Sequence, residues 1–178
     1  MPHIHTKPGQ HDHTVSIYIF RTDFDEPKVM LHFHRKINMY AQFGGHIELN
    51  ETPWQATSHE LVEETGYEMN QLQILQPQQN VLRMTDAIVH PFPAVYATMG
   101  YPGEGGHFHT DITYAFIASS SPHHLPVEGE STDIKLFNKH ELVSLGEDKI
   151  DSITRETALY IFDNCLENWQ TISPFEFK

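Results

Sequence analysis

The chain has 178 residues, of which 39% are hydrophobic and 11% aromatic, and its formal net charge is −13 with histidine neutral. Length and composition are those of one globular domain with a proper core and exclude a disordered chain. The negative charge argues against binding to a nucleic acid polymer or an anionic membrane. It leaves room for a small nucleotide whose phosphates arrive with a cation.

Cysteine content and hydropathy bear on the compartment. The chain has a single cysteine, Cys165, which cannot form an intramolecular disulfide and so favours a reducing environment. The N-terminal residues lack the apolar segment of a signal peptide, and no stretch is long enough to span a membrane. We therefore expect a cytoplasmic protein without a membrane partner.

The first part of the chain is predicted to form strands. Residues 1–13 are polar and rich in His and Pro, which predicts an irregular N-terminal segment ahead of a single domain at residues 14–178. Apolar patterning predicts strands at residues 15–20, 29–33 and 39–43, the last leading into Gly44 and Gly45.

A helix is predicted over residues 53–65, and both of its ends carry local signals. Thr52 is a good N-cap, Pro53 suits the first helical position, and Gln55 completes a capping box with Thr52. Gly66 follows the last turn, where a left-handed glycine commonly ends a helix. The chain therefore runs from a strand through a glycine turn into a short, well-capped helix.

Three glutamates give this helix its chemical character. Glu60, Glu63 and Glu64 are three and four residues apart, which places them on one helical face. A solvated acidic surface is the ordinary interpretation of such a cluster. Because like charges on one face repel, a divalent cation that prefers oxygen ligands is the alternative.

The rest of the chain interleaves short strands with a few helices, which predicts an α/β domain whose mixed sheet is covered on both faces. Asn138 is predicted to cap a short helix that runs to residue 145. Further predicted elements are strands at residues 72–75, 87–89, 107–118 and 134–137, a loop at residues 101–106 and a helix at residues 150–169.

Residues 45–67 resemble the Nudix box, G-x5-E-x7-R-E-U-x-E-E-x-G-U, in which U is a bulky apolar residue. The six Gly and Glu matches would arise by chance on the order of 10⁻⁵ times per chain of this size. One position departs from the pattern, since His59 stands where the family has arginine. The matching residues are Gly45, Glu51, Glu60, Leu61, Glu63, Glu64, Gly66 and Tyr67.

The resemblance implies the Nudix fold, an α/β/α sandwich with a mixed β-sheet, and a hydrolase that uses Mg²⁺ or Mn²⁺. It implies Glu60 and Glu64 as principal metal ligands, joined by Glu63 and by the carbonyl of Gly45. Glu51 is the remaining acid of the box and would orient these groups or bind through water. The catalytic residues implied are thus the four glutamates, and the general base stays open between one of them and an acid on a distant loop.

The departure at His59 affects how the carboxylates are held. An arginine offers a charged fork of donors, whereas imidazole offers at most two donors and is mostly neutral at pH 7. His59 could still donate a hydrogen bond to Glu63, one turn further on, or to Glu51. All the carboxylates that the box needs for a metal are present.

Polar residues outside the carboxylate set are candidates for binding substrate. His107, His109 and Asp111 alternate along a predicted strand and so share a face. They could form a substrate-side wall, an extra metal position, or a buried hydrogen-bonded set that pins the sheet. His46, after the double glycine, could reach a phosphate, and Arg35 could clamp one or could simply be an exposed solubilising charge.

The leading functional prediction is a metal-dependent hydrolase that cleaves the pyrophosphate of a nucleoside diphosphate linked to another moiety. The alternatives are a nucleoside triphosphate pyrophosphatase and a non-catalytic nucleotide-sensing or interaction module of the same fold. The partner expected in each case is a small nucleotide diphosphate derivative. The sequence does not show which substrate is bound. It also leaves the oligomeric state open, and a homodimer is possible.

Overall fold

The computed structural model describes residues 7–100 and 106–177. The predicted loop at residues 101–106 and the start of the N-terminal segment thus lie largely outside the described residues.

The strands are β1 (His11–Arg21), β2 (Lys28–His34), β3 (Met39–Ala41), β4 (Phe43–His46), β5 (Leu72–Gln76), β6 (Val95–Gly100), β7 (Phe108–Ala118), β8 (Ile134–Phe137) and β9 (Gln170–Ile172). The helices are α1 (Pro53–Glu60), α2 (Lys139–Ser144) and α3 (Ser152–Tyr160), with π-helical turns at Leu61–Thr65 and Ile161–Cys165 and 3₁₀ turns at Met69–Gln71 and Pro174–Glu176.

The described strands form one mixed sheet around a parallel pair. β1 and β7 run parallel over eleven residues, with Asp12 opposite His109 and Ile17 opposite Tyr114. The other strand pairings are antiparallel. The order is β3-β2-β1-β7-β5-β9, with β4 also paired to β1, β6 to β7 and β8 to β2. This sheet confirms the predicted α/β class.

Different helices cover the two faces of the sheet. Val15 and Ile17 of β1 pack into one core with Leu61 at the end of α1. Tyr18 and Phe20 point to the opposite face and pack into a second core with residues of α3. Helices therefore lie on both sides of the sheet. None of the helices within residues 7–100 and 106–177 has the length and apolar character needed to cross a membrane.

The capping signals of the helix at residues 53–65 are confirmed. The Thr52 hydroxyl accepts from the Gln55 N–H at 3.3 Å, and the Gln55 side chain accepts from the Thr52 N–H at 2.8 Å. Gly66 ends the helix with φ of 73°, in the left-handed region. The capping box and the C-terminal glycine thus lie where the sequence predicts them.

The second half of this helix differs from the prediction, because it is a wider π-helical turn from Leu61 to Thr65. The Thr65 hydroxyl donates to the carbonyl of Leu61 at 2.5 Å. A side chain that bonds to the carbonyl four residues earlier competes with the α-helical backbone bond there. We attribute the wider turn to this competition.

The observed strands differ from the predicted ones at several positions. Residues 87–89 are irregular, and Ile88 is 66% exposed, so the predicted strand there is wrong. The nearby strand is β6, which follows the prolines and pairs with β7. β1 begins at His11, so residues 11–13 are extended and not irregular. β9 was not predicted, since three residues carry too little pattern.

Candidate active site

The double glycine brings strand β4 against the end of α1. A Cβ atom added at Gly45 would lie 2.2 Å from Oε1 of Glu60, so a larger residue would displace this carboxylate. The N–H of Gly44 donates to Oε2 of Glu64 at 2.8 Å. Gly44 has φ of 129°, which other residues rarely adopt. The glycines thus let two carboxylates sit directly against the strand backbone.

Glu60 is an acid in an unfavourable place for a charge. Its side chain is buried, at 4% exposed, and its Oε1 has no hydrogen-bond partner among the described residues. Burial raises the pKa of Glu60 to about 7. Burial also raises the pKa of Glu64 to about 8, although the Gly44 hydrogen bond opposes this shift and the charge of Glu60 adds to it. Both acids would be held ionised more readily by a bound cation.

His59 links the two outer acids of the box. Its Nε2 lies 3.0 Å from Oε1 of Glu63 and its Nδ1 lies 3.8 Å from Oε2 of Glu51. The Glu48 N–H donates to Glu51 at 2.9 Å and fixes that carboxylate from the other side. Partial burial lowers the pKa of His59, but the hydrogen bond to Glu63 and the charges of Glu63, Glu60 and Glu51 raise it overall. The position that departs from the pattern therefore still holds two carboxylates.

The donor set fits a divalent cation that prefers oxygen ligands. A buried carboxylate oxygen without a hydrogen bond is costly unless a positive charge offsets it. Gly45 leaves space that a Cβ would fill, directly beside that oxygen. The available donors are carboxylate and backbone oxygens, the ligands that Mg²⁺ and Mn²⁺ favour.

A cavity of about 440 Å³ opens beside Glu51. Tyr96 of β6 stands at its wall and is 66% exposed. Tyr96 is not among the predicted site residues, because the sequence pattern does not predict β6. The lining residues are Asp12, His13, Ile47, Glu48, Leu49, Glu51, Pro53, Tyr96 and Ile112.

Histidines and one aspartate form a second group near the start of β1. The Nε2 atoms of His107 and His109 are 3.2 Å apart, and Oδ2 of Asp12 lies 3.7 Å from Nε2 of His107. Nε2 of His46 lies 3.7 Å from the same oxygen. Among the described residues, Asp12, His107 and His109 are the one trio of His, Cys, Asp or Glu whose ligand atoms all lie within 4.8 Å. Asp12 was not predicted, because only strand pairing brings it to these histidines.

This second group faces away from the box. Gly45 pairs with Val15 and faces Glu60, so its neighbour His46 points to the opposite side of the sheet. Asp12 is three positions from Val15 along β1, so its side chain also points to the side of the sheet opposite the box. The structure therefore places His46 with the histidine group on the α3 side, and no phosphate contact is proposed for it.

Two other predicted substrate residues lie apart from the box. Asp111 is buried and accepts hydrogen bonds from the hydroxyls of Thr14, Ser16 and Thr113 at 2.7 to 2.9 Å. These contacts match the buried set that the sequence also allowed, and Asp111 joins β1 to β7. Arg35 is exposed in the turn between β2 and β3 and makes no ion pair with any described residue.

Comparison with known families decides the assignment. A model of the NUDIX domain matches residues 11–157, which is most of the chain. The chain belongs to the NUDIX family. The resemblance found at residues 45–67 is thereby confirmed, and the π-helical turn with its flanking helix is the NUDIX helix of this protein.

Solved structures agree with the NUDIX assignment. A NUDIX-family hydrolase from Clostridium perfringens is 25% identical, with a TM-score of 0.63 over 86% of this chain and 97% of that one. A NUDIX hydrolase from Nitrosomonas europaea is 16% identical, with a TM-score of 0.60 over 94% and 99%. The NUDIX domain of Shewanella oneidensis NrtR, solved with ADP ribose, is 15% identical, with a TM-score of 0.57 over 85% and 87%. No curated protein sequence matches the chain. These similarities confirm the predicted NUDIX fold.

Proposed function

We propose that this NUDIX protein is a pyrophosphohydrolase that cleaves a nucleoside diphosphate linked to another moiety, with Mg²⁺ or Mn²⁺ as cofactor. The observation that carries the proposal is the environment of Glu60. Its buried oxygen has no hydrogen-bond partner among the described residues and lies against a glycine that leaves room beside it. Such a site stabilises a carboxylate when a cation is present and penalises it otherwise.

Each box residue has a distinct part in this proposal. Glu60, Glu63, Glu64 and the Gly45 carbonyl would hold the cation. The cation, when bound, neutralises phosphate charge and makes a water molecule easier to deprotonate. The Gly44 N–H orients Glu64, while His59 and the Glu48 N–H orient Glu51. One of the four box glutamates is proposed to accept the proton of the attacking water.

The cavity beside Glu51 suits the nucleoside part of the substrate. Ile47 and Ile112 supply apolar walls, and the exposed ring of Tyr96 is free to stack on a base. A base held there would place the diphosphate next to Glu51 and so close to the box. The distantly similar NrtR domain was solved with ADP ribose, which is a nucleoside diphosphate linked to a second sugar. That ligand belongs to the proposed substrate class.

A substrate panel tests the proposed reaction. Purified protein with Mg²⁺ or Mn²⁺ is incubated with ADP-ribose, nucleotide sugars, dinucleotides and nucleoside triphosphates, and products are separated by chromatography. We expect cleavage at the diphosphate of the linked substrates and no cleavage after chelation. Faster turnover of triphosphates would favour the triphosphate pyrophosphatase instead. Binding without turnover across the panel would favour the sensing module.

Glutamine variants test the carboxylate roles. Glu60→Gln and Glu64→Gln should each lower kcat/KM by about 100-fold or more, because several kcal/mol of transition-state stabilisation depend on the cation. Both variants should stay folded, since a neutral amide suits a buried position better than an unpaired charge. The measurement is steady-state kinetics together with thermal unfolding.

Glu156→Gln is the matched control. Glu156 is an exposed helical glutamate on α3, across the sheet from the box, so its variant should keep parental kinetics. Near-parental turnover in both Glu60→Gln and Glu64→Gln would contradict the proposed mechanism even if the substrate class were correct.

A further inference from the structure

The group formed by Asp12, His46, His107 and His109 lies outside the carboxylate set of the box, although Asp12 also lines the cavity beside Glu51. Its members come from neighbouring strands, since Asp12 lies on β1, His46 on β4 and His109 on β7. His107 immediately precedes β7. Asp12 is paired directly with His109, and Thr14 with His46, so strand register holds the group together. The three strands meet here at the end of the sheet where β1 begins.

We propose that this group is a second metal site, which takes a zinc-type transition metal and ties β1 to β7. Asp12, His107 and His109 are the ligands, and His46 lies beside Asp12. The site is separate from the NUDIX box and does not depend on the proposed function. It lies on the α3 side of the sheet, whereas the box lies on the α1 side.

The separations between the donor atoms support a shared ion. Two ligands bound tetrahedrally at the usual zinc distances lie about 3.3 to 3.4 Å from each other. The observed separations are 3.2 Å between the two Nε2 atoms and 3.7 Å from Asp12 to His107 and to His46. The ligand atoms of Asp12, His107 and His109 all lie within 4.8 Å of one another, close enough to share one ion.

The donor types separate this site from the box. Imidazole nitrogens with one carboxylate favour zinc and its neighbours in the transition series, while all-oxygen sets favour Mg²⁺ and Mn²⁺. Asp12 and His107 are each 1% exposed, and His46 is 13% exposed. Enclosure by protein is typical of structural zinc sites, which add to folding stability. We therefore assign the site a structural role and not a catalytic one.

The experiment measures zinc content and stability of the full chain, and it needs no substrate. Protein stripped with a chelator is incubated with Zn²⁺ in excess Mg²⁺, desalted and analysed by plasma mass spectrometry. We expect about one zinc per chain in the parent. We also expect Zn²⁺ to raise Tm by about 5 °C or more. His109→Gln and His107→Gln should lose both the retained zinc and the rise in Tm.

The Glu60→Gln/Glu64→Gln double variant should keep the zinc, because its changes are in the box. A His123→Gln/His124→Gln variant, which removes two exposed histidines, should also keep it. A His3→Gln/His5→Gln variant checks the N-terminal histidines, which lie outside the described residues, and should retain zinc as well. The proposal is overturned if parent and His109→Gln hold equal zinc. It is also overturned if zinc is lost from any of the three control variants while His109→Gln keeps it.

Discussion

His59 shows how a single side chain can preserve an arrangement while changing its pH response. Its two ring nitrogens lie 3.0 Å from Glu63 and 3.8 Å from Glu51, so it contacts two of the box carboxylates. Unlike arginine, imidazole loses its charge when pH rises. The neighbouring carboxylates raise the pKa of His59, so its charge persists to higher pH than in a free histidine.

The charge of His59 should therefore shape the pH profile of turnover. We expect the ratio of parent to His59→Arg kcat/KM to fall as pH rises through the raised pKa of His59, because only the arginine stays charged. The loss should be about tenfold at most, since His59 is 44% exposed and water screens its contacts. Kinetics of both proteins from pH 6 to pH 9 measure it, and superimposable profiles would remove this role.

At the scale of the element, the helix that carries the box is fastened at its C-terminal end. Gly66 ends it in the left-handed region, and a Cβ there would lie 2.1 Å from the carbonyl oxygen of His124. The N–H of Val127 donates to the carbonyl of Glu63 at 2.8 Å. The loop around residue 124 thus packs onto the turn that positions the last two glutamates.

Gly66→Ala should destabilise the protein for two reasons that a control can separate. The left-handed backbone costs a non-glycine residue about 1–2 kcal/mol, and the clash with His124 adds to this. Gly129 also has positive φ, 107°, but open space around its Cβ position. Gly129→Ala should therefore show the backbone cost alone. Urea unfolding of both variants measures the difference, and equal losses would show that the clash relaxes freely.

At the scale of the whole molecule, one sheet separates an oxygen-donor site from a histidine-rich group. Glu60 and Glu64 lie on the α1 side, and their raised pKa values, about 7 and about 8, mean that the folded protein binds protons that the unfolded chain releases above about pH 4.5. The unfolded state then holds fewer protons, so these groups lower stability as pH rises from about 4.5 to 8. A cation in the box would offset this loss.

Stability measured against pH should reveal this linkage. In the presence of chelator, the double variant Glu60→Gln/Glu64→Gln should become more stable relative to the parent as pH rises from 5 to 8, because it lacks the two buried acids with raised pKa values. Mg²⁺ should raise the parent's Tm more at pH 8 than at pH 6 and should leave the double variant nearly unchanged. Parallel curves with and without Mg²⁺ would show that these acids neither titrate as described nor bind the cation.

Features that depend on near neighbours could be predicted from sequence. The capping box of Thr52 and Gln55, the left-handed Gly66 and the spacing of the box glutamates involve residues a few positions apart, where backbone geometry decides the outcome. The strand patterns around residues 15–20 and 107–118 were strong because burial on both faces leaves long apolar runs. The family and the nature of its metal donors follow from these local patterns.

Other features needed the tertiary structure, because they depend on strand register and depth of burial. Asp12 meets His107 across 95 positions of sequence only because β1 and β7 pair in parallel. Alternation along β4 turns His46 away from the box, where sequence proximity had suggested a phosphate contact. The burial of Glu60 depends on the approach of a helix to Gly45, which no local pattern encodes. Sequence alone thus determined the box and its chemistry, while the fold decided which distant side chains share a site.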